Sequence, residues 1–409
     1  MNRLLMLFAV WCLLVLPTVG GAVDLYDAVQ IHGFFSQGYL HSHNNNFLAH
    51  SRSGSLKFTD CALNLNWQPL DALRLGAQAF YRNLGDYNEN AVVLDWGLVE
   101  YQPKDWIGLR LGKIKMPLGL YNETRDASFV LPMVFLPQSI YDESRRDLTL
   151  AYLGAGLFGN VALGRFGDVD YHLFWGESSY PDESILQESS ERSLENTIVR
   201  NSQLSPSRQN PLIPDSFSTL DRANDKIRGA ALVWNLLPEL RFGASLLHSE
   251  SEIKVDSDGV SLVAVETTVH GRYVLSAEYH TEQWLLAAEY SESDRTMESF
   301  GETALDGPSQ SWYVMLCYFP HEQWTISLLY DEFYREKHDK HSDSRPQVRA
   351  DNGWRKDIGL GLRYDVNSWC NLKLEYHYID GSAMQLNILN EEDVKRYWSY
   401  VVAQLAVVF

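Results

Sequence analysis

Alternation of apolar with small or polar residues recurs along the whole chain, and past residue 22 no apolar run approaches the roughly 20 residues a membrane helix needs. Trp284, Leu286, Ala288 and Tyr290 interleave with Gln283, Leu285, Ala287 and Glu289; Leu372, Leu374, Tyr376 and Tyr378 interleave with Lys373, Glu375 and His377. Leu73 to Ala79 and Ile358 to Tyr364 behave likewise. A period of two sends successive side chains to opposite faces of a strand, and no long stretch keeps a helical period, so the fold class is all-β. A soluble sandwich would bury the apolar face. A membrane barrel turns it to lipid and keeps a wet lumen.

The connections decide between these. Strands are expected near 29–41, 55–67, 73–82, 91–102, 107–115, 150–163, 169–177, 226–236, 240–251, 264–280, 283–295, 309–319, 323–335, 354–367, 370–381 and 397–409. Short turns such as Gln68-Pro69-Leu70-Asp71 and Pro320-His321-Glu322 alternate with long polar segments at 42–54, 83–90, 116–149, 178–225, 252–263, 296–308, 336–353 and 382–396. Short turns at one end and long loops at the other predict a transmembrane antiparallel β-barrel of about sixteen strands. The turns would be periplasmic and the loops external. Counting back by twos from Phe409 gives Val407, Leu405, Ala403 and Val401. This resembles the terminal assembly signal of outer-membrane proteins, with Phe409 as its last residue.

The first 22 residues read as a secretion signal: Arg3, the apolar stretch Leu4 to Leu16, then Gly20 and Ala22 at the small positions before cleavage. Residues 23–409 would then form the barrel in a Gram-negative outer membrane, with outer-membrane lipid and the assembly machinery as partners. The formal net charge of −19 argues against nucleic acid. Cys61, Cys317 and Cys370 are too far apart for a disulfide framework or a metal motif. No cofactor is expected.

The stretch from Gly108 to Glu123 reads Gly-Leu-Arg-Leu-Gly-Lys-Ile-Lys-Met-Pro-Leu-Gly-Leu-Tyr-Asn-Glu. A strand with Arg-x-Gly-Lys running into Pro-x-Gly before a long loop resembles bacterial outer-membrane porins, most of all the phosphate-selective porin group and its uncharacterised relatives. Phe135 to Glu143 looks like the continuation of that region. The resemblance implies passive passage of ions or small hydrophilic solutes, a homotrimer, and a third external loop folded into the barrel. Here that loop is 116–149. Its Phe129, Val130, Leu131, Met133, Val134, Phe135 and Leu136 would be costly in water and suit packing on the inner wall. Its charges, Glu123, Arg125, Asp126, Asp142, Glu143, Arg145, Arg146 and Asp147, would set a field across a constriction. The bland reading is an external loop with a solvated charge run.

Strand parity nominates Arg74, Gln78, Arg82, Arg110, Arg272, Glu278, Arg363, Lys373 and Glu375 as lumen residues, with His270, Ser276 and His280 on the face of Arg272 and His377 on that of Lys373. A bulge would reverse such assignments. Gly97 and Gly112 are candidate bulge sites that leave Asp95, Glu100 and Lys113 open. The 178–225 segment reads as a solvated loop. An enzymatic barrel is disfavoured, because the chain has no Gly-x-Ser-x-Gly and no His-Glu-x-x-His, and only His41, His43 and His50 form a loose group. A soluble sugar-binding module and a non-conducting structural or adhesive barrel are the remaining rivals.

Overall fold

The computed structural model describes residues 23–24, 29–85, 92–178, 185–222, 225–342, 349–385, 387–390 and 394–409. The proposed signal at 1–22 lies outside them. Sixteen wall strands follow one another in the order of the sequence. They are β1 (Val29–His43), β2 (Phe58–Leu70), β3 (Leu73–Leu84), β4 (Val92–Lys104), β5 (Ile107–Lys115), β6 (Ala151–Ala162), β7 (Asp168–Ser178) and β8 (Asp225–Leu237). The second half comprises β9 (Leu240–Ser257), β10 (Val260–His280), β11 (Trp284–Ser299), β12 (Glu302–His321), β13 (Trp324–Tyr334), β14 (Trp354–Asn367), β15 (Cys370–Asp380) and β16 (Tyr397–Val408). Each pairs antiparallel with its neighbours, and β16 returns to β1 in the register Val408↔Phe34 to Ser399↔His43, which closes the barrel. Phe409 completes the seam. Its backbone exchanges two hydrogen bonds with Gly33 (2.9 and 3.0 Å), and its ring lies where a side chain at residue 33 would stand.

The outer surface is apolar. Leu63, Leu65, Leu111, Leu246, Leu275, Leu328, Leu360 and Leu374 are all exposed and all point away from the lumen. Trp284 stacks on Tyr318 (centroids 4.4 Å apart) and Trp324 lies against Tyr364 (4.6 Å) where these strands meet the short turns. Tyr378 and Tyr397 pair near the long-loop end. An apolar band between aromatic rims is unfavourable in water and suits lipid.

Two expected loops are strand instead. The 252–263 segment continues β9 and β10 around Asp258-Gly259, and the 296–308 segment continues β11 and β12 around Phe300-Gly301. All four turn residues have φ between +46° and +79°, the left-handed geometry of a two-residue hairpin that matches strand twist. The Asp-Gly pair carries this signal in the sequence. The 178–225 segment is not merely a solvated loop. It contains helix α1 (Ile185–Ser202) and a short strand, Thr219–Arg222, that pairs with β9. Leu194 of the helix packs with Ile253, Val255, Ala264 and Phe300 of the extended hairpins.

The bulge that decides Asp95 is at neither glycine but close to Gly97. It falls in β4, where Gln78 pairs with Trp96 and Ala79 with Leu94, so Asp95 is the extra residue, two positions before Gly97. Asp95 and Glu100 both turn inward. A second bulge between Val269 and Gly271 breaks the alternation at His270, which is exposed and bonds to Thr296 Oγ1 (2.9 Å). His270 therefore leaves the face of Arg272. The inside–outside assignment has a direct test. Leu360→Arg, on the lipid face, should lower unfolding free energy in lipid vesicles by about 2–4 kcal/mol, measured by urea titration of tryptophan fluorescence. A neutral result would mean that this face does not meet hydrocarbon.

Candidate functional site

The 116–149 segment leaves β5 and turns into the barrel at Gly119. This glycine has φ +66°, and a Cβ there would stand 2.4 Å from Tyr141 Oη and 2.8 Å from Glu289 Oε1. The Pro-x-Gly pattern thus has a local cause: only glycine takes this backbone and leaves room for the contact beneath it. Asn122 ties the two ends of the loop together, its amide donating to Met116 O (2.8 Å) and Thr149 O (2.6 Å).

Three seats hold the loop. At the first, Glu289 of β11 accepts from Leu120 N (2.8 Å), Ser276 Oγ (2.5 Å), Tyr141 Oη (2.5 Å) and Tyr313 Oη (2.9 Å). Four donors satisfy a carboxylate that burial would otherwise make very costly. Tyr121 Oη donates to Glu278 beside it, and Arg241 bonds the same carboxylate (2.8 Å). At the second, Arg82 of β3 forks onto Asp60 (2.7 and 3.0 Å) and reaches Glu143, which also takes Arg125 (2.9 Å). Arg146 bridges Asp126 and the bulged Asp95 (both 2.9 Å), and Lys115 pairs with Asp126 (3.0 Å). At the third, β13 to β15 bind loop main chain. Arg363 donates to Leu131 O (3.1 Å), Asn371 to Phe129 O (3.1 Å), and Lys373 to Ser128 O and Met133 O. Ser139 N and Val134 N donate to Asp331 and Glu375.

All nine nominated wall residues turn inward, but their surroundings differ. Arg74 and Arg110 share Glu100 (3.2 and 2.6 Å) toward the short-turn end, where Arg110 also lies over the Phe158 ring. At the turn between β8 and β9, a cavity of about 490 Å³ is lined by Arg241, Glu278 and His280 among others. Gln78 bonds Asp95, and Arg272 caps Ile140 O (2.8 Å). Arg82, Lys373 and Glu375 are buried. Of the loop charges, Arg125, Asp126 and Arg146 are buried and Glu143 nearly so, whereas Glu123 and Arg145 are exposed. Asp142 and Asp147 pair at 3.6 and 3.1 Å with Arg145 and Arg146. Leu131, Met133, Val134, Phe135 and Leu136 are packed as expected, but Val130 is 61% exposed. His41 and His43 alternate with buried Leu40 and Ser42 on the outer face, and His50 is exposed in the following loop.

The lumen is less polar than parity suggested. Val274, Leu285, Ala287, Tyr313, Met315 and Leu329 point inward and form one core with Met116, Leu118, Leu136 and Tyr141 of the loop. In every wall strand at least one inward side chain is buried, from Ser36 in β1 through Asp95, Tyr152, Ile227 and Ser327 to Gln404 in β16. The loop therefore forms a packed layer across the barrel. Two wall carboxylates that hold it, Glu289 and Asp331, and the Arg355–Asp357 pair behind Asp331 were not nominated from sequence. Parity could have found them: Asp357 alternates with lipid-facing Ile358 and Leu360.

Burial raises the Glu143 carboxyl, but Arg82, Arg125 and Arg146 outweigh it and hold it down to about 2. Its native value lies below the unfolded one, so its stabilisation is complete above the ordinary Glu range and is lost as pH falls toward 2. Glu143→Gln should cost about 3 kcal/mol near neutrality, and the gap from wild type should narrow in acid, read by urea titration across pH. A gap independent of pH would remove the ion pairs as its cause. Gly119→Ala should also loosen the loop, raising protease cleavage within 116–149 while the wall stays intact.

Neither protein-family models nor curated protein sequences match this chain. Solved structures do. The outer-membrane protein OmpT of Vibrio cholerae aligns at 10% identity over 94% of this chain and 99% of its own, with a TM-score of 0.55. An anion-selective porin from Comamonas acidovorans aligns at 11% identity over 93% and 99%, TM-score 0.53. OmpF of Salmonella typhi, solved with daunomycin, aligns at 13% identity over 93% and 97%, TM-score 0.53. What the chain shares with them is the fold: a closed, sixteen-stranded antiparallel barrel of the porin-like outer-membrane type.

Proposed function

We propose that this protein is an outer-membrane channel through which ions or small hydrophilic solutes pass by diffusion, with the 116–149 loop as its constriction. The observation that carries this reading is the loop itself, folded inward between β5 and β6 and fastened to the wall around its course. The apolar outer band supports residence in lipid, and the likeness to an anion-selective porin and to OmpF supports a passage through the barrel. No chemical step and no cofactor are involved. The location would be a Gram-negative outer membrane, entered after removal of the 1–22 signal. The assembly machinery would engage the strand ending in Phe409, and a homotrimer follows from the porin resemblance. Selectivity for phosphate is not part of this proposal: Arg74 and Arg110 already share Glu100, and the chain carries a formal charge of −19.

One observation favours a second reading, a non-conducting structural barrel: inward side chains are buried in all sixteen strands. Planar-bilayer recording separates the two. The channel reading expects discrete conductance steps from the refolded protein, larger in a variant with residues 127–141 shortened to a Gly-Ser linker, and a reversal potential of cation preference in a salt gradient. Anion preference would direct attention to Arg74 and Arg110. Silence from both folded proteins would establish the structural reading instead.

A further inference from the structure

Five ionisable side chains run in one hydrogen-bonded file along the inner wall. Asp331 of β13 pairs with Arg355 of β14 (3.1 Å), Arg355 with Asp357 (2.6 Å), Asp357 with His377 of β15 (2.9 Å), and His377 with Glu375 (3.4 Å). None is more than 3% exposed. The two ends of the file are the two carboxylates that hold loop main chain: Asp331 accepts from Ser139 N (3.2 Å), and Glu375 from Val134 N. The other charged or titratable groups facing it are Lys373 on β15, with Arg363 beyond it; Tyr400 on β16, whose ring stacks on His377 with centroids 4.4 Å apart; and Asp142 on the loop. Three carboxylates are thus balanced by Arg355, Lys373 and a protonated His377.

That balance exists in one protonation state only. A carboxylate accepts an amide hydrogen more strongly than a neutral acid does, and buried like charges repel strongly once their counter-charges are gone. Without charge on the two end carboxylates both amide contacts weaken, and Asp357 alone is left against Arg355, His377 and Lys373. A cavity of about 20 Å³ between Gln138, Asp142, Ser144 and Arg355 has room for a water beside the second member of the file. The file holds the loop at Val134 and Ser139, whereas residues 128–133 are held by Arg363, Asn371 and Lys373 and the loop ends are fastened at Glu289 and at Arg82.

We infer that the file from Asp331 to Glu375 is a proton-controlled latch: it seats residues 134–139 against the wall near neutrality and releases them in acid, widening the passage. The gating consequence rests on the channel reading above; the release itself does not. Two measurements on the full chain keep them apart. Hydrogen exchange of the 134–139 amides, corrected for intrinsic rate, should lose protection by about tenfold or more between about pH 7.5 and about pH 4, while β14 and β15 keep theirs. Asp331→Asn combined with Glu375→Gln, shown to be folded by its β circular dichroism, should give the acid behaviour at pH 7.5. Bilayer conductance should rise in the same window. Protection unchanged by acid in the wild type overturns the latch, whether or not the protein conducts. Lost protection with a silent bilayer upholds the latch and sinks the channel reading.

Discussion

A strand in hydrocarbon has no water to satisfy its backbone, so every N–H and C=O must find a partner within the sheet. The architecture depends on this constraint. It requires that β16 come back to β1, and it makes the seam at Gly33 and Phe409 as necessary as any pairing in the middle of the sheet. It also explains why polar variety is confined to the inside and to the ends. Where the hairpins rise beyond the apolar band, as in β9 to β12, the outward residues include Glu266, Asp294 and Glu298, and α1 packs against the strands.

Closing sixteen strands creates an interior that their own side chains do not fill. The 116–149 loop fills it, and it does so with the chemistry of a folded core. Apolar residues of loop and wall pack together, and the buried charges are paired: Arg82 with Asp60 and Glu143, Arg146 with Asp95 and Asp126, Arg355 with Asp331 and Asp357. Removing one member of such a pair leaves an uncompensated buried charge, which fixes the loop in one arrangement. The same pairs make the seat sensitive to protonation. A loop held by apolar contacts alone would not be.

Much of this was legible in the chain. The strand positions, the short-turn and long-loop ends and the inward direction of Arg74, Arg82, Arg110, Lys373 and Glu375 all follow from a period of two, which is local and survives any tertiary context. What misled was also local. The polar stretches around Asp258-Gly259 and Phe300-Gly301 look like loops because an extended hairpin in water can be polar on both faces. Asp95 could not be placed because one extra residue inverts every side chain beyond it. Helix α1 has little amphipathic pattern, since it is largely exposed and buries chiefly Leu194 and Ile198.

The sequence by itself determined the class of fold, the number of strands and the segment that enters the lumen, because alternation, turn spacing and a cluster of apolar residues in a loop are each readable over a few residues. Only the tertiary structure decided which groups seat that segment. Leu120 meets Glu289 across 169 positions, and Val134 meets Glu375 across 241. No local pattern encodes such a contact. It exists because closing the barrel brings β11 and β15 to opposite flanks of one loop.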